Sequence, residues 1–445
     1  MFSALNVALP IINQDFKANA ILLNWIITAF VLVSAIFSVP FGRIADIVGI
    51  KKIFLSGIFV FMIASASVVF VNSAIDLVII RALQGLGSAM AGGTTMAMLS
   101  AAFPGRQRGR AFGIYSASVY AGLSVGPLVG GVITEHLTWK VIFLLNIPIS
   151  LTMIFLTLWK VKGEWAECRG ENFDYIGTLI FGLSLAAVMY GFSLLPQIIG
   201  GIITLIGILG TFGFLAYENQ ASSPILKVSL FKSNRAFIFS NLAALINYSA
   251  TSAVAFLVSL YLQYNKGFSP EQAGLILIAQ PVLQTIVSPF AGRLSEKIEA
   301  RIVSSIGMSM ICVGLVFFAF LTTSTSIILI IINLILLGIG FGLFASPNTN
   351  AIMSSVIPKY YAVAGSVTST MRTIGQTLSM GVVMIIMATV IGRVVIAPGN
   401  YEGFLSSVKI AFVVFAVLCL AGVFASLARG KKDKSTDEGA MSGSH

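Results

Sequence analysis

Residues 42–52 read GRIADIVGIKK, and residues 292–302 read GRLSEKIEARI. The two stretches lie 250 positions apart, and the offset recurs elsewhere. Gly85 and Gly87 return as Gly338 and Gly340 at a shift of 253, and Pro104 returns as Pro358 at 254. Similarity among apolar helices arises easily by composition, but these matches include charged and proline positions in expected loops. The near-constant offset therefore predicts two homologous halves of six spans each, with an extra helix pair, 175–217, inserted between them. Membrane transporters are often built from such repeats, with the substrate site near the bilayer midplane at their interface.

Composition agrees with a membrane setting. Of 445 residues, 57% are hydrophobic and only 10% charged, against about 25% charged in an average soluble domain. Mean hydropathy is +0.97. Apolar runs long enough to cross a bilayer are expected near 2–14, 21–41, 53–73, 77–101, 111–134, 139–160, 175–195, 198–217, 237–263, 272–292, 302–322, 325–347, 362–391 and 404–428. That makes fourteen, the first of them short. Of the 27 Lys and Arg, twenty fall in loops after even-numbered spans and in the tail. Five (Lys17, Lys140, Lys266, Arg393 and Lys409) fall on the other side, and Arg81 and Arg372 lie inside spans. This asymmetry places the even-numbered ends and the C-terminus in the cytoplasm. It also accounts for the net charge of +11 without nucleic acid. Three cysteines and two histidines, in no ligand spacing, point to neither a disulfide framework nor a metal site.

Within GRIADIVGIKK, expected to form a tight loop, Gly42 and Gly49 permit a sharp reversal. Asp46 can pair with Arg43 or Lys51, or sit at a helix N-terminus. Such a latch could break and re-form as two bundles rock; the plain alternative is a basic loop with one incidental acid. The stretch AGLSVGPLVGG at 121–131 gathers residues that weaken an ordinary helix. Gly122, Gly126 and Gly130 recur every four residues, a stripe that lets transmembrane backbones approach closely. Pro127 removes a backbone donor, and Gly131 loosens the turn beyond. Arg372 lies deep in its span, and Thr368, Arg372 and Gln376 share one face at i, i+4 spacing. That stripe lines a central cavity or makes a structural interhelical hydrogen bond. By the repeat shift, Arg372 corresponds to Tyr120.

These motifs resemble those of the major facilitator superfamily. GRIADIVGIKK is similar to its signature loop between the second and third helices, RALQGLGSA at 81–89 to its fourth-helix motif, and GLSVGPLVGG at 122–131 to its fifth-helix antiporter motif. With NVALPII, TWKVIFLLNIP and YLQYNKGFSPEQAGL in order, the likeness covers nearly the whole chain and points to the fourteen-helix drug:proton antiporter branch. The resemblance implies an all-α polytopic fold of two six-helix bundles, and a part in proton transfer for Arg81 with Gln84. A guanidinium in hydrocarbon costs roughly 2.5–3.5 kcal/mol on insertion scales, so Arg81 is expected to face a polar cavity unless it snorkels. Weaker cavity candidates are Asn6, Trp25, Tyr115, Tyr120, Tyr248, Gln280, Gln284 and Asn350. Together they suit an amphipathic aromatic substrate in a mostly apolar pocket.

None of the sixteen acidic residues lies in the middle of an expected span. In the family an aspartate commonly stands five residues before N-V-A-L-P; here that place is Met1. The expectation is a natural start further upstream. The alternative interior, with two arginines and no acid, would favour anionic or neutral substrates, coupled through Asp46, Asp174 or Glu135. The expected organisation is a first bundle over 1–160, the inserted pair, a second bundle over 237–428 and a disordered cytoplasmic tail over 429–445. The expected function is export of hydrophobic or amphipathic compounds, cations included, in exchange for protons. Export of a metabolite, lipid or osmolyte is the alternative. A sensor would carry a soluble domain, an enzyme clustered polar residues, and an ATP-driven pump a Walker motif; the sequence has none of these. No cofactor or metal is expected. The expected partners are the bilayer, a small-molecule substrate and protons, with the chain a monomer in the plasma membrane of a prokaryotic-type cell.

Overall fold

The computed structural model describes all residues except 1–4, 6–7, 9–10, 13–14, 17–19, 104–106, 222, 227–233, 393–400 and 430–445. Thirteen helices among the described residues are long and apolar enough to cross a membrane, and they match the second to fourteenth expected spans. The first expected span and the terminal tail fall mostly outside the described residues.

The first half comprises α1 (Ala20–Val48), α2 (Ile50–Ala66), α3 (Ala74–Ala102), α4 (Arg108–His136) and one span formed by α5 (Lys140–Leu144) and α6 (Asn146–Lys160). The inserted pair is α7 (Tyr175–Ser193) and α8 (Ile198–Glu218). The second half begins with α9 (Arg235–Thr251) and α10 (Val254–Tyr264), which share a span, as do α11 (Pro270–Leu277) and α12 (Ala279–Lys297). It ends with α13 (Ala300–Ala319), α14 (Ile327–Ser354), α15 (Tyr361–Val390) and α16 (Tyr401–Leu427). Helices satisfy their backbone groups internally, which hydrocarbon requires, and polar caps mark several ends. Ser73 and Asp76 form a reciprocal capping box on α3, and Ser269 and Gln272 another on α11. Each such cap contributes about 1 kcal/mol.

The repeat is visible in three dimensions. In the first half Gly87 packs on Gly57, where an added Cβ would stand 2.7 Å from the Gly57 carbonyl oxygen. In the second half Gly340 packs on Gly307, with the corresponding distance 2.8 Å. The halves meet where α15 packs on α1 and α3 and where α4 packs on α12 and α14; the crossings of α1 with α15 and of α12 with α4 are of the same kind. An apolar cluster at one end of this seam draws Val39, Met96 and Phe112 from the first half and Ile352, Ala362 and Val367 from the second. The inserted pair lies along the seam, where α7 touches both α1 and α15. Large apolar side chains such as Phe59, Phe155, Phe212 and Phe424 are exposed on the outside, where lipid would cover them.

Two expectations change. GRIADIVGIKK is not a loop: α1 runs through Val48, and the turn is Gly49 alone, at φ +131°. Nothing between Ile44 and Val48 interrupts a helix, so the chain turns only where a left-handed residue is available. Arg429 does not begin a free tail either. It is buried and its Nη1 donates to Ser304 Oγ at 3.1 Å.

Candidate functional site

The Lys/Arg-rich end of the seam carries a polar network. Asp46, 1% exposed, accepts hydrogen bonds from the backbone N–H groups of Ala362 (3.1 Å) and Val363 (3.2 Å) at the start of α15. A carboxylate at a helix N-terminus satisfies orphan donors and meets the positive end of the dipole. The acid thus sits at a helix N-terminus, and that helix belongs to the other half. Gly42, one turn earlier, is a close approach rather than a reversal: a Cβ there would stand 2.8 Å from the Ala362 carbonyl oxygen. Arg43 pairs with Glu171 rather than Asp46, at 2.5 Å.

Glu171 belongs to the segment 161–174, which crosses the seam like a clasp. Its second oxygen takes Lys359 Nζ at 2.6 Å, so one carboxylate joins Arg43 of the first half to Lys359 of the second. These two cations hold its pKa below the usual 4.5, the lysine hydrogen bond contributing most. Cys168 donates its N–H to the Asp46 carbonyl at 3.0 Å, and its Sγ accepts from Arg43 Nη1 at 3.1 Å. Burial pushes the thiol pKa up. Glu164 caps α2, accepting from the N–H groups of Lys51 (2.8 Å) and Lys52 (3.2 Å). Lys51 Nζ reaches the Val161 carbonyl at 2.6 Å. A Cβ at Gly49 would crowd Glu164 Oε1 at 2.7 Å, a second reason for glycine there. Sequence reasoning missed Glu164, Cys168, Glu171 and Lys359, because their partners lie more than a hundred positions away.

The second crossing repeats the first. Glu296, which occupies in GRLSEKIEARI the place of Asp46, accepts the N–H of Arg110 at 2.7 Å in the first turn of α4. Gly109 packs on Gly292, and Gly113 packs on Pro289, with Cβ distances of 2.5 and 2.9 Å. Arg108 reaches over the seam to the Met353 carbonyl (3.2 Å) and the Tyr361 hydroxyl (2.7 Å). Asn350 belongs to this end as well, donating to Ser295 Oγ at 3.2 Å, and is therefore not a midplane residue.

Further along the seam, Arg372 of α15 stands 5.3 Å from the Tyr248 ring centroid. It interacts with Tyr248 of α9 and with Tyr115 and Tyr120 of α4, and its Nε has no hydrogen-bond partner. The repeat-related residues Arg372 and Tyr120, one from each half, thus interact electrostatically. Gln376, one turn on, is exposed.

The other candidates disperse. Arg81, eight residues into α3, opens on no cavity: it is 1% exposed. Its Nε donates to the Ile26 carbonyl at 3.0 Å and its Nη1 to Gln84 Oε1 at 2.8 Å. Gln84 continues to Ser65 Oγ at 2.8 Å, and the Phe30 ring covers the guanidinium at 4.3 Å. Local hydrogen bonds and a ring replace most of what the expected cavity would have supplied, with Nη2 left unpartnered. Trp25 stacks on Tyr190 of the inserted pair at 6.1 Å. Gln280 and Gln284 lie on α12, where the Gln280 backbone carbonyl packs under Gly338. On α4, Gly126 and Gly130 are buried, but nothing lies within 4 Å of a Cβ added at Gly122 or Gly131. The Pro127 side chain and all of Asn6 lie outside the described residues.

Comparison with known proteins sets this geometry in context. The family model described as Major Facilitator Superfamily matches residues 1–214 and 241–443. The chain is 32% identical over 379 residues to the riboflavin transporter RibZ of Clostridioides difficile (strain 630), covering 84% of this chain and 82% of that one. It is 30% identical over 389 residues to the multidrug resistance protein Stp of Mycobacterium tuberculosis (strain ATCC 25618 / H37Rv), covering 86% and 72%. Its fold is similar to the proton:xylose symporter XylE, with TM-score 0.67 at 14% identity over 96% of this chain and 90% of that one.

Proposed function

The chain belongs to the Major Facilitator Superfamily, and from that premise we propose that it exports amphipathic, largely aromatic compounds in exchange for protons. Its two halves rock about the seam by alternating access. The observation that carries this reading is the paired closure of the seam at the basic end. There, Asp46 caps α15 and Glu296 caps α4, each reaching from one half into the other. Taking the basic end as cytoplasmic, this is the state closed to the cytoplasm. Gly122 stands free in it, an open small-residue position on α4 available for closure at the opposite end. The protein works in the plasma membrane with its C-terminus inside, as a monomer.

The drug-resistance relative supports a multidrug cargo, and the riboflavin transporter relative supports a second reading in which the cargo is a planar vitamin. Both cargoes need the same machine. In everted vesicles energised by a proton gradient, adding a transported aromatic compound should dissipate part of that gradient. Riboflavin and a panel of aromatic drugs serve as probes, with vesicles lacking the protein as control. Compound uptake that ignores the gradient would remove proton exchange from the reading and leave a transporter of another coupling.

A further inference from the structure

Two arginines lie inside the membrane-spanning helices, and the structure treats them differently. Arg81 is 1% exposed, with an aromatic ring over its face and donors given to a carbonyl and a glutamine, although its Nη2 lacks a partner. Arg372 is partly exposed, keeps its Nε unpartnered and forms no ion pair among the described residues. Its neighbours are the tyrosines 115, 120 and 248. Holding a guanidinium in this setting costs roughly 2.5–3.5 kcal/mol on insertion scales, and tyrosines return only part of that through their ring faces. A partly exposed charge kept inside the membrane, with no carboxylate partner among the described residues, is placed to meet an opposite one.

Its position strengthens the point. Close contacts between the halves toward the basic end include Gly93 with Gly365 and Gly113 with Pro289. Arg372 and Tyr120 stand seven residues beyond Gly365 and Gly113 on their helices, about 10 Å at the helical rise. They therefore stand about two turns further from the basic end, on the two helices through which the halves cross. Both halves contribute: Tyr115 and Tyr120 come from the first, Tyr248 and Arg372 from the second. A ligand held here touches both moving parts.

We infer that Arg372 anchors an anionic or acidic edge of a planar aromatic substrate, while Tyr115, Tyr120 and Tyr248 provide ring faces and hydroxyls for its body. Guanidinium suits this work because its planar fork bonds two acceptor atoms at once and stacks on rings. The same cluster disfavours a cationic ligand, which would meet a fixed like charge in a low-dielectric setting. The inference rests on the transporter reading and names the substrate class of that site.

The test measures binding directly, without a proton gradient, so that it separates from the transport reading. The full chain in lipid nanodiscs is titrated with fluorescein, a planar aromatic anion at neutral pH, and with ethidium, a planar aromatic cation. The wild type should bind fluorescein more tightly than ethidium. Arg372→Gln should weaken fluorescein about tenfold or more and leave ethidium equal or stronger. Arg372→Lys, which keeps the charge and loses the fork, should fall between, and it stands in for the glutamine variant should that one misfold. Preference for ethidium, absence of fluorescein binding, or equal fluorescein affinity in wild type and both variants would overturn the inference. Fluorescein binding without gradient-driven flux would leave the inference standing and overturn proton exchange instead.

Discussion

Asp46 shows how much a single residue can and cannot announce. A lone acid among basic residues was readable as a latch, and a helix N-terminus was among its possible partners. Which helix was not readable, because Ala362 stands 316 positions away and no local pattern points across that distance. The same holds for Arg43, whose partner is Glu171 rather than the nearer Asp46. Asp46→Asn keeps the shape but loses the charge and one acceptor. A hydrogen bond to a charged group contributes about 1.5–3 kcal/mol, so transport should collapse while membrane insertion, measured by fluorescence-detected chromatography, stays unchanged. Unaltered transport would remove Asp46 from the cycle. Glu171 carries a pH prediction. Its folded-state pKa is depressed below 4.5, so the stabilisation it gives is fully present above that value and is lost as pH falls through the lowered one. The clasp should therefore be insensitive to pH between about 6 and 8. If Glu171→Gln shifted the pH optimum of transport within that range, a different ionisation behaviour would have to be assigned to it.

At the scale of helices, small residues set where backbones touch, and glycine spacing alone did not reveal which ones do. The stripe of Gly122, Gly126 and Gly130 on α4 reads as tight packing, and Gly126 and Gly130 are buried. Yet Gly122 faces open space, as does Gly131 outside the stripe, whereas Gly109 and Gly113 in the same helix make the crossing with α12. The difference lies in the partner's sequence: Pro289 and Gly292 offer a flat face only to the first two turns of α4. The expected span ends differ from the observed ones for a related reason. The apolar run of α1 stops near Phe41, but the helix continues to Val48, because its last two turns bury Arg43 and Asp46 against protein rather than lipid. Alanine substitution should separate the two sets of glycines. Gly122→Ala and Gly131→Ala should give protein with unchanged thermal stability. Gly113→Ala forces a Cβ to 2.9 Å from Pro289 Cα and the Ser288 carbonyl oxygen, and should lower the unfolding temperature and the yield. Overpacking of this kind typically costs about 1–3 kcal/mol. Equal stability across the three variants would contradict the packing described for α4.

For the whole molecule, the repeat shift was legible because the loop chemistry and the contact glycines recur: Gly87 on Gly57 and Gly340 on Gly307 pack alike. What did not show was the unequal strength of the two closures. Asp46 is buried, takes two amides and is backed by the clasp at 161–174, which has no counterpart in the second crossing among the described residues. Glu296 is only partly buried and takes one amide. Both hold the same seam, so their losses add on a single closure equilibrium rather than acting at separate places. Removing about 2 kcal/mol at Asp46 shifts that equilibrium roughly thirtyfold, since each 1.4 kcal/mol is tenfold; Glu296→Gln should shift it severalfold. Cys168 reports the result. It is 1% exposed within the clasp, while Cys312 and Cys419 lie within membrane spans that a charged maleimide does not enter. In nanodiscs the rate of Cys168 modification, read by mass spectrometry, should rise in the order wild type, Glu296→Gln, Asp46→Asn and the double variant. The double variant's increase should approach the product of the two single increases. Modification rates in the double variant no faster than in Asp46→Asn alone would mean that Glu296 plays no part in closing the basic end, and that the two crossings, alike in form, are not alike in work.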